Sequence, residues 1–448
     1  MALHGEVMRI ELGYDSLTVR TPPLKKVVWD SQRLINGHVL VVGKSGTGKT
    51  YTLKKMVDQL SAQSGGKLRV HVMDVHGDID LDGCSTVKFS ESTSYGFNPL
   101  NINPDPDFGG VRKRVQSFIS SLNRTQFKLG GKQEAVLRNL LVDLYAANGF
   151  IENDSSTWRI DPNQHQGRFA RKQPSMDDAV RFANAKLRSM FLGTSSKTVG
   201  ELEKLYRKQI QFQSKLKQGH KTSGADLEII QNELLKLSND ATELFKEHME
   251  AMQTGRELDD LIKYDSKEVM KSVVDRLENL NNIGIFKPKR PPFDPKNPIW
   301  RYDIKALSPD EKRLFVSFIS EAIFLRASQR GVQSDIVELI ILDEAHLFLD
   351  DKPDNPVNVI AKEARKFGLG LFAASQSPTH FSDDFISNVG TRIVLGIDQF
   401  FWEGTTRKLQ IEKKALEWIV PHKRLIVQMN NRGENKNSPT WVIINPTN

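Results

Sequence analysis

Eight residues near the start of the chain have the spacing of a phosphate-binding loop. Residues 43–50, GKSGTGKT, match the pattern G-x-x-x-x-G-K-[ST] in full. Such a loop turns backbone N–H groups inward to cradle a phosphate at the positive end of a helix. Lys49 adds a positive charge for the β- and γ-phosphates, and the Thr50 hydroxyl is a Mg²⁺ ligand. The predicted residues of this ATP and Mg²⁺ site are Gly43, Ser45, Gly46, Thr47, Gly48, Lys49 and Thr50.

Two adjacent acids form a second group of candidate catalytic residues. The apolar run 339–342 leads directly into Asp343 and Glu344. In phosphate-loop enzymes the first acid holds Mg²⁺ through water, and the second polarises the water that attacks the γ-phosphate. Acids often end strands without any catalytic role, but their combination with a phosphate loop favours catalysis. A second acid beside the first suggests hydrolysis that drives work, rather than a GTPase-type switch.

The elements that must position these residues are strands that alternate with helices. The β-rich run 38–42 precedes the loop, and residues 51–60 have one apolar face of a helix. Residues 70–78 predict a strand ending in a polar cluster, where Asp74 is a further candidate for nucleotide binding. Residues 370–376 predict a strand whose terminal Gln376 would sense the γ-phosphate or water, and residues 391–396 predict a fifth. This order predicts an α/β fold with a mainly parallel sheet and the ligand at the carboxyl ends of its strands.

Composition limits the class of protein. The 448 residues include 63 Lys and Arg against 55 Asp and Glu, a net charge of +8. At about 100–200 residues per domain, this length predicts two or three domains. A single cysteine, Cys84, excludes internal disulfides and multi-cysteine zinc sites, and the ten histidines lack metal-ligand spacing, so most are interpreted as surface or packing groups. No apolar run reaches membrane-spanning length and no signal peptide is recognisable, so we expect a cytoplasmic protein without a membrane partner.

A long helical segment interrupts the predicted sheet. We expect a short β segment at 1–30, a first part of the core at 31–105, a helical insertion at 106–300, and a second part with a C-terminal β segment at 301–448. Leucine-rich helical patterns on both sides of a Gly/Ser/His break predict a helical hairpin at 198–252. This hairpin is either a packing arm or an arm that contacts a partner protein or DNA. The insertion holds 32 basic and 25 acidic residues, so we expect anionic partners to bind there first.

Several segments together resemble the HerA–FtsK superfamily of ring-shaped ATPases, and HerA-type DNA translocases in particular. The similar segments are WDSQRLINGHVLVVGKSGTGKT (29–50), MDVHGDI (73–79), GFNPL (96–100), YDIKALSPDEKRLFVSFISEAIF (302–324), ILDEAH (341–346) and EARKFGLGLFAASQSP (363–378). The resemblance implies a RecA-like core that assembles as a homohexamer. It also implies that Arg365 is an arginine finger in a neighbour's nucleotide site, with Lys366 as its nearest rival, and that Gln376 is the sensor.

The N-terminus departs from this family pattern. HerA-type proteins usually have a small β-barrel ahead of the core, whereas about 37 residues precede the first core strand here. Alternating residues at 9–12 and 17–20 predict the two strands of a hairpin in its place.

The resemblance leads to two hypotheses of function. The first is an ATP-driven translocase or helicase on duplex DNA that works with a nuclease or another effector, including in antiphage defence. The alternative is an ATP-dependent ring that regulates a separately encoded nuclease or sirtuin-like enzyme, with little helicase activity of its own. A conjugative-transfer ATPase ranks third. DEAH-type helicases and ABC ATPases are disfavoured because the Ser-Ala-Thr motif and the LSGGQ signature are missing.

Overall fold

The computed structural model describes residues 7–19, 23–160, 171–192, 204–211, 213–214, 224–250, 263–350, 352–434 and 438–445. The strands are β1 (Arg9–Asp15), β2 (Lys26–Asp30), β3 (Val39–Gly43), β4 (Arg69–Asp74), β5 (Ser85–Lys88), β6 (Ile299–Asp303), β7 (Glu338–Leu342), β8 (Leu369–Ser375), β9 (Thr391–Gly396), β10 (Arg424–Met429) and β11 (Thr440–Ile443). The α-helices are α1 (Lys49–Gln63), α2 (Val111–Leu122), α3 (Gly131–Ala147), α4 (Met176–Leu192), α5 (Gly224–Glu250), α6 (Lys267–Asn282), α7 (Pro309–Arg330), α8 (Pro356–Glu363), α9 (Asp383–Asn388), α10 (Trp402–Leu409) and α11 (Lys413–Trp418), and residues 204–211 are also helical.

The described strands form one sheet in the order β2-β1-β11-β10-β9-β3-β8-β7-β4-β6-β5. All neighbours from β9 to β5 pair in parallel, and the strands from β2 to β10 pair antiparallel, with β10 joined antiparallel to β9. The predicted α/β class with a mainly parallel sheet is therefore confirmed, as is its interruption by a mostly helical segment.

The central strands consist of apolar side chains because both faces of the sheet are covered. Every residue of β3, β7 and β8 is buried, which is the pattern of parallel strands with packing on both faces. The apolar face of α1, formed by Leu53, Met56, Val57 and Leu60, is also buried. This packing fixes the start of α1, and with it Lys49, relative to the end of β3.

One predicted strand is wrong. Residues 17–19 of the predicted 17–20 strand lie in a turn, and β1 pairs with β2 instead. The side chain of Asp15 accepts a hydrogen bond from the Leu17 N–H at 3.0 Å, and the Thr18 hydroxyl donates to the Asp15 carbonyl at 2.9 Å. These local bonds compete with extended backbone and reverse the chain, despite the alternating pattern.

Two compact units divide the chain. One comprises Met1–Phe97 with Lys287–Asn448 and contains the whole sheet, and the other is Asn98–Phe286 and contains α2 to α6. In the segment predicted as a hairpin, residues 204–211 and α5 are helical, and an ion pair joins Lys208 to Glu233. Residues 198–203, 212, 215–223 and 251–252 of this segment lie outside the described ranges. Among the described helices, none has both the length and the apolar character needed to cross a membrane.

A buried polar cluster ties the amino-terminal ends of β4 and β7 together. Nε2–H of His71 donates to Oε1 of Glu338 at 2.9 Å, while Nδ1 of the same ring accepts from the Tyr302 hydroxyl at 3.0 Å. Arg330 donates to the second oxygen of Glu338 at 2.9 Å. These bonds and neighbouring charges hold the pKa of Glu338 below its usual value, although burial acts in the opposite direction.

Replacing the buried Glu338 should therefore unfold the sheet-containing unit more easily. We expect Glu338→Leu to lower the free energy of unfolding by about 3 kcal/mol, because Arg330 and His71 lose their partner. Glu11→Leu is the control: Glu11 pairs with Lys26 on the exposed surface at 2.8 Å, and we expect a loss below about 1 kcal/mol. Denaturant unfolding followed by circular dichroism measures both, and equal losses would contradict the assigned role of the cluster.

Candidate functional site

The phosphate loop connects β3 to α1 as its sequence predicts. Gly46 and Gly48 have φ values of 78° and 94°, in the left-handed region that favours glycine. The Thr47 hydroxyl donates to the Lys44 carbonyl at 2.8 Å, and the Lys44 N–H donates to the Gly396 carbonyl of β9 at 2.8 Å. The loop is thus anchored to its neighbouring strand, and its glycines sit where the chain turns toward the helix.

Lys49 and Glu344 meet beside this loop. The Lys49 ammonium is buried, donates to the Gly43 carbonyl at 2.9 Å, and lies 3.7 Å from Oε1 of Glu344. Strands β3 and β7 both run parallel to β8, which lies between them, so both end at the same edge of the sheet. Thr50, in the first turn of α1, is half-buried. The structure therefore brings the predicted phosphate-binding lysine and the second predicted acid into one site.

Three carboxylates converge next to Glu344. Oxygens of Asp74, Asp78 and Asp343 all lie within 4.8 Å of one another. Burial, and then the charges of Glu344, Asp78 and Asp74, raise the pKa of Asp343 to about 6, opposed by His76. Hard cations such as Mg²⁺ prefer carboxylate oxygens, and a bound cation would neutralise this repulsion. The donor set fits the predicted metal.

Asp74, predicted to bind nucleotide, is fully buried and already has several donors. Arg301 donates to its Oδ2 at 2.8 Å, and the N–H groups of Gly77 and Ile79 donate to the two oxygens at 2.7 and 3.1 Å. These bonds hold the loop after β4 in place. The loop in turn carries the exposed Asp78 toward Asp343. Neither Asp78 nor Arg301 was predicted as a site residue, although Asp78 belongs to the segment MDVHGDI (73–79).

Glu344 has an unusual backbone and a second contact. Its φ of 47° and ψ of 48° are left-handed, which a residue with a Cβ adopts only where surrounding structure enforces it. Oε2 of Glu344 lies 3.3 Å from Nδ1 of His346. This Oε2 atom is buried and accepts no hydrogen bond among the described residues. His346 therefore lies beside the carboxylate whose other oxygen faces Lys49.

Ser375 and His380 extend this contact. The Ser375 hydroxyl lies 3.1 Å from Nδ1 of His346 and 3.2 Å from Nδ1 of His380. Burial lowers the pKa of both histidines and so favours the neutral rings, while the charge of Glu344 offsets part of this shift. The hydroxyl can donate to one of these nitrogens and accept from the other, and the tautomers of the two rings decide which. Neither histidine was predicted as a site residue, because most histidines were interpreted as surface or packing groups. The signals were a histidine two residues after Glu344 and another four residues after Gln376.

Gln376 and Arg365 lie at opposite edges of the sheet. Gln376 is exposed and follows the carboxyl end of β8, at the edge that carries the phosphate loop. Arg365 and Lys366 are exposed in a short helical turn before β8, and the charge of Arg365 acts on His38 at the start of β3. The seven residues of β8 span about 20 Å at ~3.3 Å each. Arg365 therefore does not reach the phosphate loop of its own chain.

A cavity of about 260 Å³ adjoins the phosphate loop on the side of β9 and β10. Thr47, Gly48, the exposed Tyr51 and His422 contribute to its lining. His422, with a φ of 63°, lies with Nε2 3.1 Å from the Gly46 carbonyl. No local motif marked His422, because the contact joins residues distant in sequence.

Comparison with known proteins identifies related chains. The model of the family "Helicase HerA, central domain" matches residues 20–106. A probable helicase of Methanocaldococcus jannaschii is 22% identical over 404 residues, covering 87% of this chain and 61% of the relative. The DNA double-strand break repair helicase HerA of Pyrococcus furiosus is 40% identical over 63 residues, covering 13% of this chain and 11% of the relative. The chain thus spans less than two thirds of the length of either relative.

Solved structures share the fold. VirB4 of Thermoanaerobacter pseudethanolicus has a TM-score of 0.61 at 14% identity, covering 97% of this chain and 96% of that one. Plasmid coupling protein TrwB in complex with ADP and Mg²⁺ has a TM-score of 0.50 at 12% identity, covering 99% and 96%. Identities this low show the fold alone. Residues 20–106 of the chain are thus similar to the central domain of HerA helicases, and the chain as a whole shares the fold of the ATPases VirB4 and TrwB.

Proposed function

We propose that this protein hydrolyses ATP as a HerA-type motor that translocates along duplex DNA. The observation that carries the proposal is the convergence of Lys49 and Glu344, 3.7 Å apart, beside the carboxylate of Asp343. Lys49 binds the β- and γ-phosphates, and Glu344 polarises the attacking water. The buried setting strengthens these electrostatic effects because little water screens them.

Mg²⁺, when bound, would supply positive charge that offsets the negative charge developing on the phosphates. Thr50 and Asp343 are the proposed ligands, with Asp74 and Asp78 close enough to Asp343 to orient water around the ion. Gln376, at the same edge of the sheet, is the proposed sensor of the γ-phosphate. His346, 3.3 Å from Glu344, is proposed to position that carboxylate, and Ser375 lies within hydrogen-bond distance of His346.

The cavity beside Tyr51 and His422 is the proposed location of the nucleoside. It continues from the phosphate loop, so a nucleotide whose phosphates lie on Gly46 and Gly48 can extend into it. The exposed ring of Tyr51 offers a face on which a base can stack.

Arg365 is proposed to act in a neighbouring subunit of a homohexamer. Its position at the edge opposite its own phosphate loop supports action in trans, because no local movement of an exposed side chain covers the length of β8. Lys366 stays the nearest rival; its ammonium lies over the Phe367 ring at 4.9 Å from the ring centre.

The alternative is a ring that regulates a separately encoded nuclease or sirtuin-like effector, including in antiphage defence. One observation favours it. The segment predicted as a hairpin exposes the apolar side chains of Tyr206, Ile210, Ile229 and Leu235, each 50–64% accessible. Its helix α5 holds seven acidic and two basic residues, and this net negative charge repels DNA phosphates. This segment therefore suits a protein partner better than DNA, whereas Arg112 and Lys113, exposed on α2, suit an anionic one.

Hydrolysis and its coupling to DNA are tested together. We expect duplex DNA to raise the ATPase rate of the purified protein. We also expect Lys49→Ala and Glu344→Gln to reduce kcat by about 100-fold or more, since positioned phosphate binding and water activation are lost. Glu363→Gln, an exposed acid at the far edge of the sheet, is the control and should retain the rate. A DNA-independent rate with an intact ATPase would favour the regulator over the translocase.

Asp343 should make stability depend on pH and on Mg²⁺. The pKa of Asp343 in the folded protein, about 6, exceeds the ordinary Asp value of about 3.9. The stability that Asp343 contributes is therefore fully present below about pH 3.9 and is lost as the pH rises through 6. In ion-free buffer, Asp343→Asn should raise the Tm at pH 8 and change it little at pH 5. Mg²⁺ should raise the Tm of the unmodified protein at pH 8, but not that of Asp343→Asn.

The exposed Asp80→Asn is the control for this pair of measurements, and it should leave both responses unchanged. A lower Tm of Asp343→Asn at pH 8 in ion-free buffer would contradict the proposed charge repulsion.

Action of Arg365 in trans predicts complementation between inactive subunits. Arg365→Ala and Lys49→Ala should each reduce activity strongly, by about 10³-fold for an arginine finger. Mixed assemblies contain interfaces where an intact phosphate loop faces an intact Arg365, so the mixture should recover part of the activity. Lys366→Ala in place of Arg365→Ala tests the rival residue. If neither Arg365→Ala nor Lys366→Ala complements Lys49→Ala, action in trans is rejected.

A further inference from the structure

A larger cavity, of about 890 Å³, lies in the sheet-containing unit and shares no residue with the site described above. It is bordered by α9, α10, β9, β10 and residues 438–439. Its polar lining residues include Thr379, Ser387, Arg392, Arg407, Lys408 and Gln428. We name it the Arg392 cavity, after the charged side chain at its wall.

Arg392 is a buried cation in a strand that is otherwise apolar or small. It is 8% exposed, and its neighbours Ile393, Val394 and Leu395 are buried core residues. Arg392 and Gln428 are register partners on the antiparallel strands β9 and β10, so both side chains lie on the same face of the sheet. Two polar side chains have thus been placed together on a face where packing alone would favour apolar ones.

The guanidinium has little compensation for its charge. Nη2 donates to the Ile386 carbonyl at 2.8 Å, but Nε is buried without a hydrogen-bond partner among the described residues. No carboxylate of the described chain lies within ion-pair distance, and burial lowers the pKa of Arg392. An unpaired buried charge is costly, so a native fold rarely keeps one without a function.

Other charges around the Arg392 cavity are also mainly positive. Arg407 is exposed, and Lys408 lies 3.4 Å from Asp383, whose own side chain is 91% exposed. Asp383 is the single acid among the described lining residues, against three cations.

We propose that the Arg392 cavity binds a small phosphorylated anion at a site separate from the phosphate loop. The planar fork of a guanidinium matches the oxygens of a phosphate group, and the exposed Arg407 adds a second charged donor at the wall of the cavity. A volume of about 890 Å³ exceeds the need of a bare phosphate and lies in the range of small-molecule sites. The ligand supplies the negative charge that Arg392 lacks.

The test separates this site from the phosphate loop. Pyrophosphate binding is measured by calorimetry with the full chain carrying Lys49→Ala, so that the phosphate loop contributes little. We expect saturable binding of one pyrophosphate per chain. Adding Arg392→Met should weaken it by about tenfold or more, and Arg407→Ala by about threefold. Binding that is absent in Lys49→Ala, or unchanged by Arg392→Met, would overturn the proposal.

Arg432→Met is the matched control. Like Arg392, it donates to a backbone carbonyl, in this case from Nε to that of Leu34 at 3.0 Å, but the side chain is exposed and lies outside the cavity. We expect its pyrophosphate binding to be unchanged. A thermal measurement distinguishes a ligand site from a structural arginine: without anion, Arg392→Met should keep or raise the Tm, because an unpaired buried charge is removed. If Arg392→Met lowers the Tm and Arg407→Ala binds normally, Arg392 only supports the fold.

Discussion

The contact between the Lys49 ammonium and the Glu344 carboxylate depends on two strands that share an edge. Strands β3 and β7 are separated only by β8, and all three run in parallel, so their carboxyl ends deliver the loop, the acids and Gln376 to one place. Lys49 and Glu344 are far apart in the sequence, and this strand order, rather than any local turn, brings them together. Antiparallel pairing of β7 would move both acids to the opposite edge. The helical segment between β5 and β6 is tolerated because it leaves these three strands unchanged.

Charge compensation explains how this edge stays folded. Glu344 lies between Lys49 and His346, and Asp74 accepts from Arg301 and two backbone N–H groups. Asp343 forms no ion pair with a cation of the described residues, and burial together with the charges of Glu344, Asp78 and Asp74 raises its pKa. The edge therefore keeps one carboxylate short of a partner at the place where a metal ion is proposed. A site that must exchange its nucleotide cannot satisfy every charge permanently.

The sequence predicted those features whose determinants are local. The phosphate loop, the apolar face of α1 and the acids after β7 each depend on consecutive or helically spaced residues, and the alternation of strands and helices indicated the parallel sheet. His346, Ser375 and His380 were missed because their geometry exists only after β7 and β8 are paired. The strand expected at 17–20 failed for the opposite reason: Asp15 and Thr18 form bonds that side-chain alternation does not reveal. Neither local motifs nor strand alternation could predict the role of Arg392. Its burial, and the lack of a carboxylate of the described residues within ion-pair distance, follow from how the whole sheet is assembled.

The position of Arg365 means that the two surfaces proposed to meet between subunits lie at opposite edges of the sheet. One edge of the sheet holds the proposed nucleotide site, and the opposite edge holds the arginine proposed to act in the site of the next subunit. Contacts of this kind are heterologous, because the two surfaces that meet are different. They cannot be satisfied within a two-fold dimer, where both partners use the same patch. The rotation from one subunit to the next then decides whether the chain closes into a ring or continues as a helical filament.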